Sequence, residues 1–155
     1  MEHILDVYAE PYAPERPVLC FDEMPSQQLA VVRAPLPAAP GKARREDYEY
    51  ARHGTCNVLL AFEPLTGRRH VQVIATRKNP DVAQAMHELV AIHYPHAKQL
   101  RVVLDNLSTH TPAVFYQTFT PEVVRELTRK IVFHYTPKHG SWLNMAECEC
   151  SVLSR

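Results

Sequence analysis

Val18-Leu19-Cys20-Phe21-Asp22-Glu23 and Val102-Val103-Leu104-Asp105-Asn106 share one design: a short apolar run that ends in an acid. An apolar run of this length reads as a buried strand. A carboxylate placed where such a strand ends is held by a rigid sheet and still reaches the open rim. Further runs of the same kind are Val58–Phe62, Val71–Ala75 and Ile131–Tyr135, and Leu29–Arg33 reads as a short edge strand or part of a hairpin. Pro64-Leu65-Thr66-Gly67 is a turn between two of the runs, which predicts an antiparallel hairpin.

Helices fill the gaps. Asn79-Pro80, Thr111-Pro112 and Thr120-Pro121 each set a capping side chain before a proline, which fits the first helical turn because its missing N–H has no partner there anyway. After Asn79, the residues Val82, Met86, Leu89, Val90 and His93 share one helical face, and Pro95 stops the helix. A helical crossover of this kind returns the chain parallel to an earlier strand. The expected order is three strands, helix, strand, helix, strand, then a helix from about Leu143. That order is a mixed α/β sheet with helices on its faces. Pro35 to about Arg45 reads as a basic surface loop inside the domain, not a boundary.

The chain has 155 residues, 46% hydrophobic and 22% charged, enough for one domain with a real core. No apolar run reaches the roughly 20 residues of a membrane helix, and Met1 to Pro17 lacks the pattern of a signal peptide. A cytoplasmic, nucleoid-associated location with no membrane partner is expected. Cys20 and Cys56 sit in or beside apolar runs, and the four cysteines suggest no disulfide framework. Lys plus Arg equals Asp plus Glu at 17 each, whereas an autonomous DNA binder carries a basic excess. The balance still suits an enzyme that needs carboxylates for metal and receives its DNA from another module.

If the crossover sets the fourth strand beside the first, Asp22 and Asp105 converge, and Glu147 from the last helix can add a third oxygen ligand. Three gathered carboxylates repel one another, and a divalent cation relieves the repulsion. Hard oxygen ligands with open water positions suit Mg²⁺ or Mn²⁺, and two such ions serve phosphodiester chemistry. The plainer reading of each acid alone is a turn former or helix cap.

The local sequence around the acids adds a family. Asp105-Asn106-Leu107-Ser108-Thr109-His110 resembles the second-aspartate motif of mariner-like transposases. His134-Tyr135-Thr136-Pro137-Lys138-His139-Gly140-Ser141-Trp142-Leu143-Asn144-Met145-Ala146-Glu147 is similar to their third motif, in which the acid follows Asn by three residues. Val18 to Glu23 matches their first strand. Arg44–Tyr50 and Ala61-Phe62-Glu63-Pro64 are similar to segments of the bacterial insertion-sequence 630 family, within the DDE superfamily of endonucleases. The resemblance implies an RNase H-like five-stranded sheet and cut-and-paste transposition by DNA strand cleavage and strand transfer. It implies Asp22, Asp105 and Glu147 as catalytic residues and ligands of two Mg²⁺ or Mn²⁺ ions. The implied partners are DNA (element ends and target), with a homodimer or full-length transposase as a protein partner.

On this reading residues 1–17 are a linker or N-terminal extension, and 18–155 are the catalytic domain with its final helix cut short. Two other readings remain: an inactive remnant of a decayed transposase gene, and a general RNase H-like nuclease. Glu149 also lies near the third acid, but about 200° further round a helix than Glu147. Asn106 and His110 are candidates to orient Asp105 or touch phosphate, and Lys138, His139 and Asn144 are candidates for DNA contact or support of the acids. Trp142 is expected to anchor the last helix on the sheet, with base stacking as the alternative, and Cys148 to pack. Cys148 and Cys150 diverge too far on a helix to share zinc with His134 and His139.

Overall fold

The computed structural model describes residues 1–153. Ser154 and Arg155, the end of the domain expected over 18–155, lie outside the described residues. Helix α1 is Glu2–Ala9, strand β1 Val18–Val31, β2 Tyr50–Glu63 and β3 Arg68–Ile74. Helix α2 is Asn79–Glu88 and runs on as a π-helical turn, Leu89–His93, before β4, Leu100–Leu104. Helices α3, Ala113–Tyr116, and α4, Pro121–Lys130, lead to β5, Ile131–Tyr135. A 3-10 turn at Ser141–Leu143 then opens α5, Met145–Leu153.

The sheet order is β3-β2-β1-β4-β5. β1 is antiparallel to β2 and β2 to β3, while β4 is parallel to both β1 and β5. The predicted hairpin and crossover are both present, and the result is the mixed, helix-flanked sheet of an RNase H-like fold.

Side chains alternate across a strand, so each strand divides its residues between two cores. Leu19, Phe21, Leu59, Ala61, Val102 and Leu104 face one side, where Val82 and Met86 of α2 and Val124 and Leu127 of α4 cover them. Val18, Cys20, Leu60, Phe62 and Val103 face the other, under Ile4 and Val7 of α1 and Ala146 and Cys150 of α5. Burial on both faces is why these strands read as unbroken apolar runs rather than alternating ones.

The runs mark only the buried parts of β1 and β2, each 14 residues long. Pairing continues past the core as a largely exposed ribbon, in which Leu29–Val31 is the far end of β1 rather than a separate strand. Three helix-start expectations need correction. None of Asn79, Thr111 and Thr120 makes a side-chain cap bond. At α2 the N-cap is Lys78, and the Asp81 carboxylate accepts its N–H at 2.9 Å, while Asn79 reaches across to Gln117. The first-turn acid took the role that a cap residue would have had.

Residues 1–17, read as a linker or extension, contain α1. Ile4 and Val7 are buried, and Tyr8 packs beside them at the spacing of one helical face.

Candidate active site

The acids meet through register. Val18 pairs with Arg101, Leu19 with Val102 and Cys20 with Val103 in the parallel β1–β4 ladder. Two steps further, the same register sets Asp22 level with Asp105 on strands about 4.8 Å apart. Parity adds the second condition. Asp22 shares the face of Cys20, on the α5 side of the sheet, and Asp105 is the first residue past the end of β4.

Asn144 brings α5 to them. Its side chain is buried, donates from Nδ2 to the Phe21 carbonyl at 2.8 Å, and accepts the Ala146 N–H on Oδ1 at 3.2 Å. One side chain therefore ties the helix start to the residue before Asp22 and caps the helix. The Glu147 N–H bonds the Asn144 carbonyl at 3.0 Å, so Glu147 sits in the turn that Asn144 fixes. Glu149 turns away and pairs with Arg69 of β3 at 2.5 Å.

Burial pushes the Asp22 carboxyl up to about 6, and the charges of Asp105 and Glu147 push in the same direction. The Glu23 N–H, 2.8 Å from Asp22 Oδ1, and the His110 charge act against that shift. The effect on Asp22 is what neighbouring carboxylates produce. The donor set is chemically right for a hard divalent cation. As the side chains stand, no group of three His, Cys, Asp or Glu among the described residues is arranged to hold a metal ion.

Among the candidate supports, His110 reaches Asp105: its Nδ1 lies 2.6 Å from Oδ1. Asn106 does not, and bonds the Thr136 carbonyl at 2.6 Å, tying the loop after β4 to the end of β5. Lys138 and His139 are exposed in the loop before α5. That loop turns at Gly140, where an added Cβ would stand 2.6 Å from Pro137 Cγ. His139 itself takes a left-handed backbone, φ 63°.

Two expectations fail. Trp142 is 63% exposed and anchors nothing; Leu143 and Asn144 are the buried residues of that turn. Cys148 is exposed, and Cys150, two residues on, is the cysteine that packs. Only the direction in which the helix docks decides which of its faces turns inward.

Two contributors had gone unassigned. Tyr8 of α1 donates to the Leu143 carbonyl at 2.8 Å and lies 3.1 Å from Cys20 Sγ, bracing the entry to α5. Its helical spacing with Ile4 was the available signal. Burial, reinforced by Cys20, raises the Tyr8 hydroxyl well above its ordinary range, so it stays a donor. Glu23 is the other; its neighbour Asp22 was read and its own burial was not legible.

Residues 17–155 match the family model described as DDE superfamily endonuclease. No curated protein matches. Among solved structures, the Drosophila P element transposase strand transfer complex is similar at 15% identity and a TM-score of 0.36, over 88% of this chain and 30% of that one. The chain thus spans less than a third of that transposase chain.

Proposed function

Because the chain belongs to the DDE superfamily endonucleases, we propose that it is a transposase catalytic domain that cleaves DNA strands and joins them to a target in cut-and-paste transposition. The observation that carries this reading is the β1–β4 register, which, carried past its last pair, brings Asp22 level with Asp105. The motif around Leu143, Asn144 and Glu147 supports a place in the insertion-sequence 630 group, hence a bacterial, nucleoid-associated protein.

Asp22, Asp105 and Glu147 are the residues that would hold two Mg²⁺ or Mn²⁺ ions. When bound, such ions supply an activated water or 3′-hydroxyl and stabilise the leaving oxygen of the phosphodiester. The chain's own residues orient the acids. Asn144 sets the helix that carries Glu147, and His110 fixes one oxygen of Asp105. Lys138 and His139, exposed in the loop before α5, are the residues that would meet the phosphate backbone. The DNA partner is the element end and then the target, and the protein partner is a second copy or a full-length transposase.

Calorimetric titration with Mn²⁺ tests the reading. The chain should bind, and Asp22→Asn and Asp105→Asn should each lose most of that affinity. Binding that is unchanged in both variants would falsify the ligand assignment.

A further inference from the structure

We propose that Glu23 is a positioning residue for Asp105 and acts through His110. The inference rests on the reading of Asp105 as a metal ligand. Glu23 follows Asp22 in β1 and so points to the opposite face of the sheet, away from α5. There its side chain is 2% exposed and that of His110 is 0% exposed. A carboxylate so buried is costly unless donors reach it.

The groups that face it come from one short loop. His110 Nε2 lies 3.4 Å from Glu23 Oε1, and Thr109 Oγ1 donates to the same oxygen at 3.5 Å. On the other side of the ring, Nδ1 lies 2.6 Å from Asp105 Oδ1. Phe21 meets the imidazole edge-on at 5.7 Å, and the Tyr135 hydroxyl donates to the His110 carbonyl at 2.8 Å. The ring is thus fixed in plane and in position.

Asp105 bonds the ring through Nδ1, and Glu23 stands within ion-pair distance of Nε2, which makes no aligned hydrogen bond. Glu23 thereby holds the far edge of the ring, so that Nδ1 stays turned toward Asp105. Nδ1–H and the Leu107 N–H, at 3.2 Å, both fall on Oδ1 of Asp105. Oδ2 would be the oxygen left for a cation. A carboxylate–histidine partner of this kind orients a ligand and tunes its affinity, and its loss costs about 10–100-fold in metal binding.

The test is Mn²⁺ calorimetry on the purified chain, with thermal melting to confirm that each variant folds. Glu23→Ala should weaken Mn²⁺ about 10–100-fold. Glu23→Gln keeps an acceptor oxygen and should retain most of the affinity. Asn at position 110 can still donate to Asp105 but cannot span to Glu23. In the His110→Asn background, Glu23→Ala should therefore cost nothing further, whereas a merely structural Glu23 would cost the same in both backgrounds. Wild-type affinity in Glu23→Ala, or an additive loss in the double variant, overturns the inference. If Glu23→Ala does not melt cooperatively, Glu23→Met, which fills the same space without an acceptor, replaces it. Asp105→Asn run alongside separates two failures. Unchanged binding there sinks the metal-ligand reading, and lost binding there with full binding in Glu23→Ala sinks only this inference.

Discussion

Glu63 and Asp22 are acids on neighbouring antiparallel strands, and the fold treats them in opposite ways. Leu60 pairs with Asp22, and Glu63 stands three residues beyond it on β2. Glu63 is 1% exposed, and one of its oxygens meets a donor while Oε1 has no hydrogen-bond partner. The Tyr94 hydroxyl donates to Oε2 at 3.0 Å, and His70 Nε2 donates in turn to the Tyr94 oxygen at 3.1 Å. The Arg68 guanidinium lies 6.0 Å above the Tyr94 ring. Asp22 instead faces Asp105 and Glu147, and its carboxyl is pushed up by burial and by their charge. An acid met by a donor is a packing solution. An acid met by acids is a cost that the native state carries and that a bound cation would relieve.

Three perturbations can break or sharpen that contrast. Tyr94→Phe removes the hydroxyl from the Glu63 side alone. It should cost about 1–3 kcal/mol in denaturant unfolding, because a buried acceptor loses its donor, and leave Mn²⁺ affinity as it was. A shift in Mn²⁺ affinity would erase the distinction between the two acids. Asp22→Asn should do the reverse. In the presence of chelator at neutral pH it should stabilise the protein by about 1–2 kcal/mol while abolishing metal binding. A destabilised Asp22→Asn would mean that the carboxylate is held by donors after all.

The smallest effect is a pH dependence on the Glu63 side. Burial, with the charges of His93 and Arg68, pulls His70 from 6.5 down to about 4. Between those values the unfolded chain binds a proton that the folded chain refuses. The His70 contribution is therefore complete above about 6.5 and is lost as pH falls toward 4. Unfolding curves at pH 7 and pH 5 should converge when His70→Gln is compared with the wild type; an unchanged gap would remove His70 from the relay.

The strand segments were legible because Val18–Phe21 and Val58–Phe62 are buried on both faces and leave a continuous apolar signature. Pro64–Gly67 and Pro95 were legible because turn and helix-stop chemistry is local. The exposed ribbon of β1 and β2 carried no such signature, since its pairing is made by backbone groups common to all residues. The helix caps failed for a related reason. A Thr or Asn before proline can cap, but whether its oxygen reaches an N–H depends on the approach of the preceding loop. Trp142 and Cys148 failed because hydrophobicity predicts burial only once the docking face is known.

For the site, the order of elements and the identity of the three candidate acids came from the chain alone, as did Asn144 and His110 as residues worth watching. Sequence can do this because strand periodicity and motif spacing are written along one dimension. Three things needed the folded molecule: that Asp22 and Asp105 fall level, that Asn144 bonds the Phe21 carbonyl, and that Glu23 lies buried against His110. Each is a contact between residues far apart in the chain. Such contacts depend on register and on which face a helix presents, and these quantities take a value only when the sheet closes.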